Sequence, residues 1–259
     1  MFARLLLGIM AGFLLPVAAT AEPLVPLAVL PFTNVTRYQG HLLDRRAAAA
    51  IVVEARTPWA PVDPALVQRT LEGLNVPSPL GTAEAQALCR RLPAALALQG
   101  AISLAEVEAG SARVRLHVEL LEPLSGEVTA RAQGEGRAQS REPLPRDQLL
   151  EQALQRAARS VMQALVVPRT VGQIAEPRPD KPLRLTLIPQ ARVEANSVLL
   201  LYAPLSAPEG EPEEGPAPAW PLAAVAVQRL AEGGAELRLL GQHQAPAGGE
   251  IAVWVGRLP

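Results

Sequence analysis

Leu27-Ala-Val-Leu-Pro-Phe-Thr-Asn34 opens the folded part of the chain. Leu27 to Phe32 is apolar without alternation, the pattern of a strand covered on both faces. Pro31 has no N–H to give to a ladder, so pairing is expected to stop there and leave a sheet edge. Asn34 to Gly40 follows as a polar loop. An open edge beside a polar loop suits strand addition or loop contacts with another protein. Pro31, Phe32, Thr33, Asn34 and Arg37 are therefore the candidate docking residues.

Upstream of this strand, Arg4 precedes an apolar run from Leu5 to Val17, and Ala19-Thr20-Ala21 supplies small residues at the spacing of a cleavage site. That is the pattern of a secretory signal, with a mature chain expected from Glu22. The apolar run is short for a bilayer span. No cysteine follows it, so lipid attachment is not expected. No other segment is apolar for long enough to cross a membrane as a helix. The expected location is the periplasm or the exterior.

Downstream, the apolar period alternates between helical and strand-like. Leu42, Leu43, Ala47, Ala50 and Ile51 recur at helical spacing over 42–54. Trp59 to Val62 is a short strand bounded by prolines. Asp63 then caps a helix with Pro64 at its first position, and Gly73 ends it. Thr82 is expected to cap another helix, whose inner face is Ala85, Leu88, Cys89 and Leu92. The period then changes to two. Ala94 to Val107, Ala112 to Leu120 and the run Val128, Ala130, Ala132 form an antiparallel meander. In its middle strand Val114, Leu116, Val118 and Leu120 share one face, and Arg113, Arg115, His117 and Glu119 the other. The apolar face needs a cover. Asp147 to Val166 provides it, with Leu150, Ala153, Leu154, Ala157, Ala158, Val161, Met162 and Leu165 on one stripe.

The remainder is read as strands alone. Pro168 to Pro182 has a linker composition. Strands follow at 183–188, 197–203, 222–230, 235–240 and 250–255, with hairpin-type turns at Gly233-Gly234 and Gly248-Gly249. Pro208 to Ala219 is an acidic, proline-rich loop. The fold class is thus α/β (α+β): a mixed five-stranded sheet covered by helices, plus a small all-β barrel-like C-terminal domain. The domain reading is a signal at 1–21, an α/β domain at 22–167, a linker at 168–182 and a β domain at 183–259.

Composition and motifs narrow the function. Lys+Arg 24 against Asp+Glu 25 gives a formal net charge of −1, which sets up no long-range field toward nucleic acid. Cys89 is the one cysteine, so no intramolecular disulfide forms, and it reads as a small residue of a helix core. His41, His117 and His243 stand in no metal-ligand spacing. There is no G-x-S-x-G elbow, no phosphate-binding glycine loop and no dinucleotide fingerprint. Gly134-Glu-Gly136 lacks the third glycine that such a fingerprint requires. No catalytic residue, metal or cofactor is assigned.

The order strand, helix, strand, two helices, meander, long helix resembles the periplasmic α/β domain shared by the curli secretion-channel lipoproteins, the amino-terminal domain of TolB and the penicillin-binding-protein activator lipoproteins. The matching residues are Leu27 to Asn34, Pro61-Val-Asp-Pro-Ala-Leu-Val-Gln68, Ala95-Leu-Ala-Leu-Gln-Gly-Ala-Ile102 and Leu116 to Gly134, with Pro123-Leu-Ser-Gly126 at a turn. The β tail resembles the small barrel that follows a similar domain in a flagellar outer-membrane-associated protein. The resemblance implies a non-enzymatic exported protein that binds or scaffolds envelope protein partners. Membership of a secretion or assembly channel complex is the alternative it raises. The long amphipathic hairpin strands of a channel are missing here, as is the lipid-attachment cysteine. A hydrolase acting on envelope polymers is a third reading, with no constellation of residues behind it.

Overall fold

The computed structural model describes residues 24–38, 42–74, 80–123, 125–140, 144–203 and 221–258. The expected leader at 1–21 and the acidic stretch 208–219 fall outside the described residues.

The expected mixed five-stranded sheet is present, in the order β2-β1-β3-β4-β5. β1 (Val25–Asn34) runs parallel both to β2 (Trp59–Pro61) and to β3 (Leu96–Glu108). Pro31 does not end the strand as the sequence suggested. The register shifts between Val29 and Phe32, which accommodates the residue without an N–H, and pairing resumes at Phe32 opposite Gly100. A Cβ at Gly100 would meet the Phe32 ring, with Cζ at 2.7 Å. Glycine leaves the room into which this ring packs across the neighbouring strand. β3, β4 (Ser111–Leu121) and β5 (Val128–Gln139) form the antiparallel meander.

One face of the sheet is sealed by α1 (Leu43–Glu54) and α4 (Arg146–Ala164). Val25, Leu27, Leu96, Leu98, Val114, Leu116, Val118 and Leu120 are buried there with Ile51, Leu150, Leu154 and Val161. Burying each large side chain is worth about 1.5–3 kcal/mol. Leu42, expected on the inner face of α1, lies before the helix with φ 52° and is 62 % exposed. α4 meets β5 almost backbone to backbone. A Cβ at Gly136 would fall on the carbonyl oxygen of Ala153 and the N of Ala157, and one at Gly134 would meet Val161 N at 2.6 Å. The glycines at i and i+2 of the strand thus face alanines at i and i+4 of the helix.

The other face is covered at one end only, by α2 (Pro64–Leu74) and α3 (Thr82–Cys89), over Ala28, Leu30, Ala97 and Leu121. Asp63 caps α2 as expected, its Oδ1 accepting from Ala65 N at 2.9 Å. In α3 the cap position is Gly81, and Thr82 is the first helical residue rather than the cap.

The C-terminal strands close into a barrel of order β10-β7-β6-β11-β8-β9. It has six strands, one more than the sequence suggested. The addition is β6 (Arg169–Ile174), inside the stretch read as linker. It pairs with β7 (Leu183–Leu187) and β11 (Ile251–Arg257) and buries Val171 and Ile174. β8 (Ser197–Tyr202) is buried on both faces. Leu199 and Leu201 point into the barrel with Val225 and Val227 of β9 (Ala223–Ala231) and Leu237 of β10 (Gly234–Gln242). Val198, Leu200 and Tyr202 belong to the same apolar cluster as the sealed sheet face, together with Ala224, Val253 and Val255. One continuous core therefore joins the two halves. At the seam, a Cβ on Gly256 would strike the Thr129 carbonyl of β5.

Candidate functional site

Beyond the reach of α2 and α3, the second face of the sheet is open and polar. A depression of about 320 Å³ here is lined by Pro31, Thr33, Leu80, Gln99, Gly100, Ala101, His117 and Glu119. Strand alternation explains why these side chains converge. His117 and Glu119 are the outward partners of buried Leu116, Val118 and Leu120, and they stand opposite Ala101 and Gln99 in register.

The polar groups here are ordered by one another. Glu119 accepts from Arg131 Nε at 2.8 Å and from Gln99 Nε2 at 3.1 Å. The Arg131 hydrogen bond, against some desolvation, holds the Glu119 carboxyl below its ordinary value. Farther along, Glu135 accepts from Arg113 Nε at 2.8 Å, Arg115 Nη2 at 2.8 Å and Arg137 Nε at 2.9 Å. These bonds, Arg113 first, hold the Glu135 carboxyl well below the usual carboxylate range. Three guanidinium groups stand against the Glu135 carboxylate and Glu106, which lies opposite Arg113, and leave this part of the face with a small positive surplus. Ion pairs this exposed contribute little to stability. Their consequence is a surface with fixed donors and acceptors.

The five candidate docking residues are not equivalent in place. Pro31 and Thr33 line the depression. Phe32 is 3 % exposed and packs inward over Gly100. Asn34 organises the loop: its Oδ1 accepts from Thr36 N at 3.0 Å and from Thr36 Oγ1 at 2.7 Å, and its Nδ2 donates to Tyr38 O at 2.9 Å. Arg37 is exposed on that loop. Gln99, His117 and Glu119 complete the depression and were missed as site residues. The signal for His117 and Glu119 was present in the polar face of β4, whereas Gln99 stands on β3.

Cys89 is buried, and its thiol is pushed up to about 12 by burial and, secondarily, by Glu122. Such a thiol is not a nucleophile at neutral pH. Among the described residues, no three His, Cys, Asp or Glu side chains come together as a metal ion would need. No described helix is long and apolar enough to cross a membrane.

The architecture is thus an α/β sheet domain fused through a shared core to a closed six-stranded barrel. No protein-family model matches the chain, and no curated protein matches it. Among solved structures it is similar to the lipoprotein GNA1162 from Neisseria meningitidis, with TM-score 0.38, 13 % identity, and coverage of 46 % of this chain and 87 % of that one. It is also similar to the PelC dodecamer from Paraburkholderia phytofirmans, with TM-score 0.34 and 16 % identity over 54 % of this chain and 86 % of that one. For the C-terminal domain of LpoB from Escherichia coli the TM-score is 0.34, with 15 % identity over 47 % of this chain and 87 % of that one.

Proposed function

We propose that the chain is a non-enzymatic, exported cell-envelope protein that binds or scaffolds an envelope protein partner through the open end of its sheet. The observation behind this reading is the half-covered second face. There, Pro31, Thr33, Gln99, His117 and Glu119 converge in a shallow polar depression beside exposed Arg37. Gln99 and Glu119 are held by hydrogen bonds before any partner arrives, so little ordering cost for these two side chains falls on association. The leader at 1–21 and the resemblance of the 24–166 region support the envelope as the place. The surplus guanidinium charge on the same face favours a partner surface rich in carboxylates or carbonyl acceptors.

The test is site-specific photo-cross-linking in cells. A photoreactive residue at Thr33 or His117 is expected to trap a defined adduct with an envelope protein. The same residue at Arg238, on the barrel exterior, is expected to trap none. Adducts of identical pattern from all three positions, or a tagged chain that stays in the cytoplasm, would sink the reading.

A further inference from the structure

The outer edge of β5 is open over one short window, and both ends of that window are closed by named contacts. The phase of the β4–β5 ladder follows from Ser140 N donating to Gly110 O at 2.9 Å, with Gln139 opposite Ser111. Direct pairs alternate between hydrogen-bonded and non-bonded. The even residues of β5 therefore bond to β4, and the N–H and C=O of Arg131, Gln133, Glu135 and Arg137 point away from the sheet. At one end, Arg156 of α4 donates to the Arg137 carbonyl. At the other, the register breaks at Thr129, and the β11 backbone at Gly256 packs against the Thr129 carbonyl. Between these stops the outward backbone groups of Arg131, Gln133 and Glu135 have no hydrogen-bond partner among the described residues.

We infer that this window pairs antiparallel with the same window of a second copy, about a two-fold axis at Gln133. Three features select a second copy over another extended chain. The stops at Thr129 and Arg137 are equidistant from Gln133, so the two-fold superposes one stop on the other. Arg131 falls opposite Glu135 of the second copy, placing opposite charges in both outer pairs. Gln133 meets its own equivalent, where two amides can bond to each other. Pairing forms about six main-chain hydrogen bonds and joins the two sheets into one. A two-fold contact of this kind is closed and does not propagate into a filament. Arg131 also holds Glu119 of the depression, but the pairing uses the backbone edge of β5 and not the depression, so the oligomeric state tests it apart from the proposed function.

Cysteine cross-linking of the purified chain tests the register. Cα atoms directly opposite in a bonded pair lie about 5.5 Å apart, within disulfide reach. Cys89 is 3 % exposed and does not compete. Under mild oxidation the Gln133→Cys variant is expected to form a covalent dimer at least tenfold faster than Arg131→Cys or Glu135→Cys alone. An equimolar mixture of the latter two, in which half of the dimers place the two cysteines opposite each other, is expected to cross-link about half as fast as Gln133→Cys. In sedimentation velocity, the unmodified chain should shift toward twice the monomer mass as concentration rises. Gln133→Pro should abolish that shift with an unchanged far-ultraviolet spectrum, because this N–H serves no bond within the fold. A sharp monomer at every concentration, or equal cross-linking rates at all three single positions, overturns the inference. The charges on β5 would then be guards against pairing.

Discussion

The two faces of the five-stranded sheet are built on opposite principles. On the sealed face, α1 and α4 press onto Val, Leu and Gly with no polar side chain between, and α4 approaches β5 to backbone contact. On the other face, α2 and α3 cover one end, and the rest carries a hydrogen-bonded network of Arg, Glu and Gln beside His117. Burial energy is concentrated on the first face and directional polar groups on the second. A substitution should therefore be costly for folding on one side and nearly silent for folding on the other, where its effect would appear in binding.

The comparison breaks most readily at Leu154, which is fully buried in α4. Leu154→Asp places an unpaired carboxylate in the sealed core, a cost of several kcal/mol against a total stability of about 5–15 kcal/mol. The variant is expected to be unfolded at 25 °C by circular dichroism. If it folded with near-normal stability, the sealed face would not be the main source of folding energy. Next in size is Gly136→Ala. The added methyl meets the Ala153 carbonyl, so α4 must lift from β5, at about 1–3 kcal/mol in urea unfolding. Thr33→Ala, at the depression, should leave the same measurement within about 0.5 kcal/mol.

How much of this was legible follows from the range of the interactions involved. α4 and β4 were readable because one apolar period, 3.6 or 2, ran uninterrupted through each. β6 was not: Pro168, Pro177 and Pro179 flank it, and its two large buried side chains, Val171 and Ile174, lie three apart, a helical spacing and not that of a strand. Only closure of the barrel shows what they pack against. Gly134 and Gly136 were visible as a pair but interpretable only once Ala153 and Ala157 stood over them, since that packing joins distant parts of the chain. At the candidate site, Pro31 and Thr33 were legible from the strand end. Phe32 was misleading because an exposed ring and one seated over a glycine of another strand look alike in sequence. Gln99, His117 and Glu119 come from two further strands, and their exposure depends on how far α2 and α3 reach.

The sealed side also extends into the barrel, which gives a smaller and opposite test. Tyr202 is 1 % exposed in the shared core, and its hydroxyl has no hydrogen-bond partner among the described residues. Burial pushes its ionisation up, so the phenol stays neutral. A buried unpaired hydroxyl costs about 1–3 kcal/mol. Tyr202→Phe, which keeps the ring, is expected to raise stability by about 1 kcal/mol in urea unfolding. A loss of that size would mean that the hydroxyl is bonded in solution.

The smallest effect belongs to the open face and depends on pH. Glu135 has its carboxyl depressed by Arg113, then Arg115, then Arg137. A carboxylate whose folded pKa lies below its unfolded one contributes stability above the unfolded value, and loses that contribution as pH falls through the folded value. The group is open to solvent on one side, so screening reduces the contribution, and salt should reduce it further. Glu135→Gln is therefore expected to change stability little at neutral pH. The variant should also lose less stability than the unmodified chain on titration downward from the ordinary carboxylate range. Parallel pH–stability curves for the two proteins would show that the three-arginine cluster adds nothing to folding. Its fixed geometry would then be left to act only at a contact with another molecule.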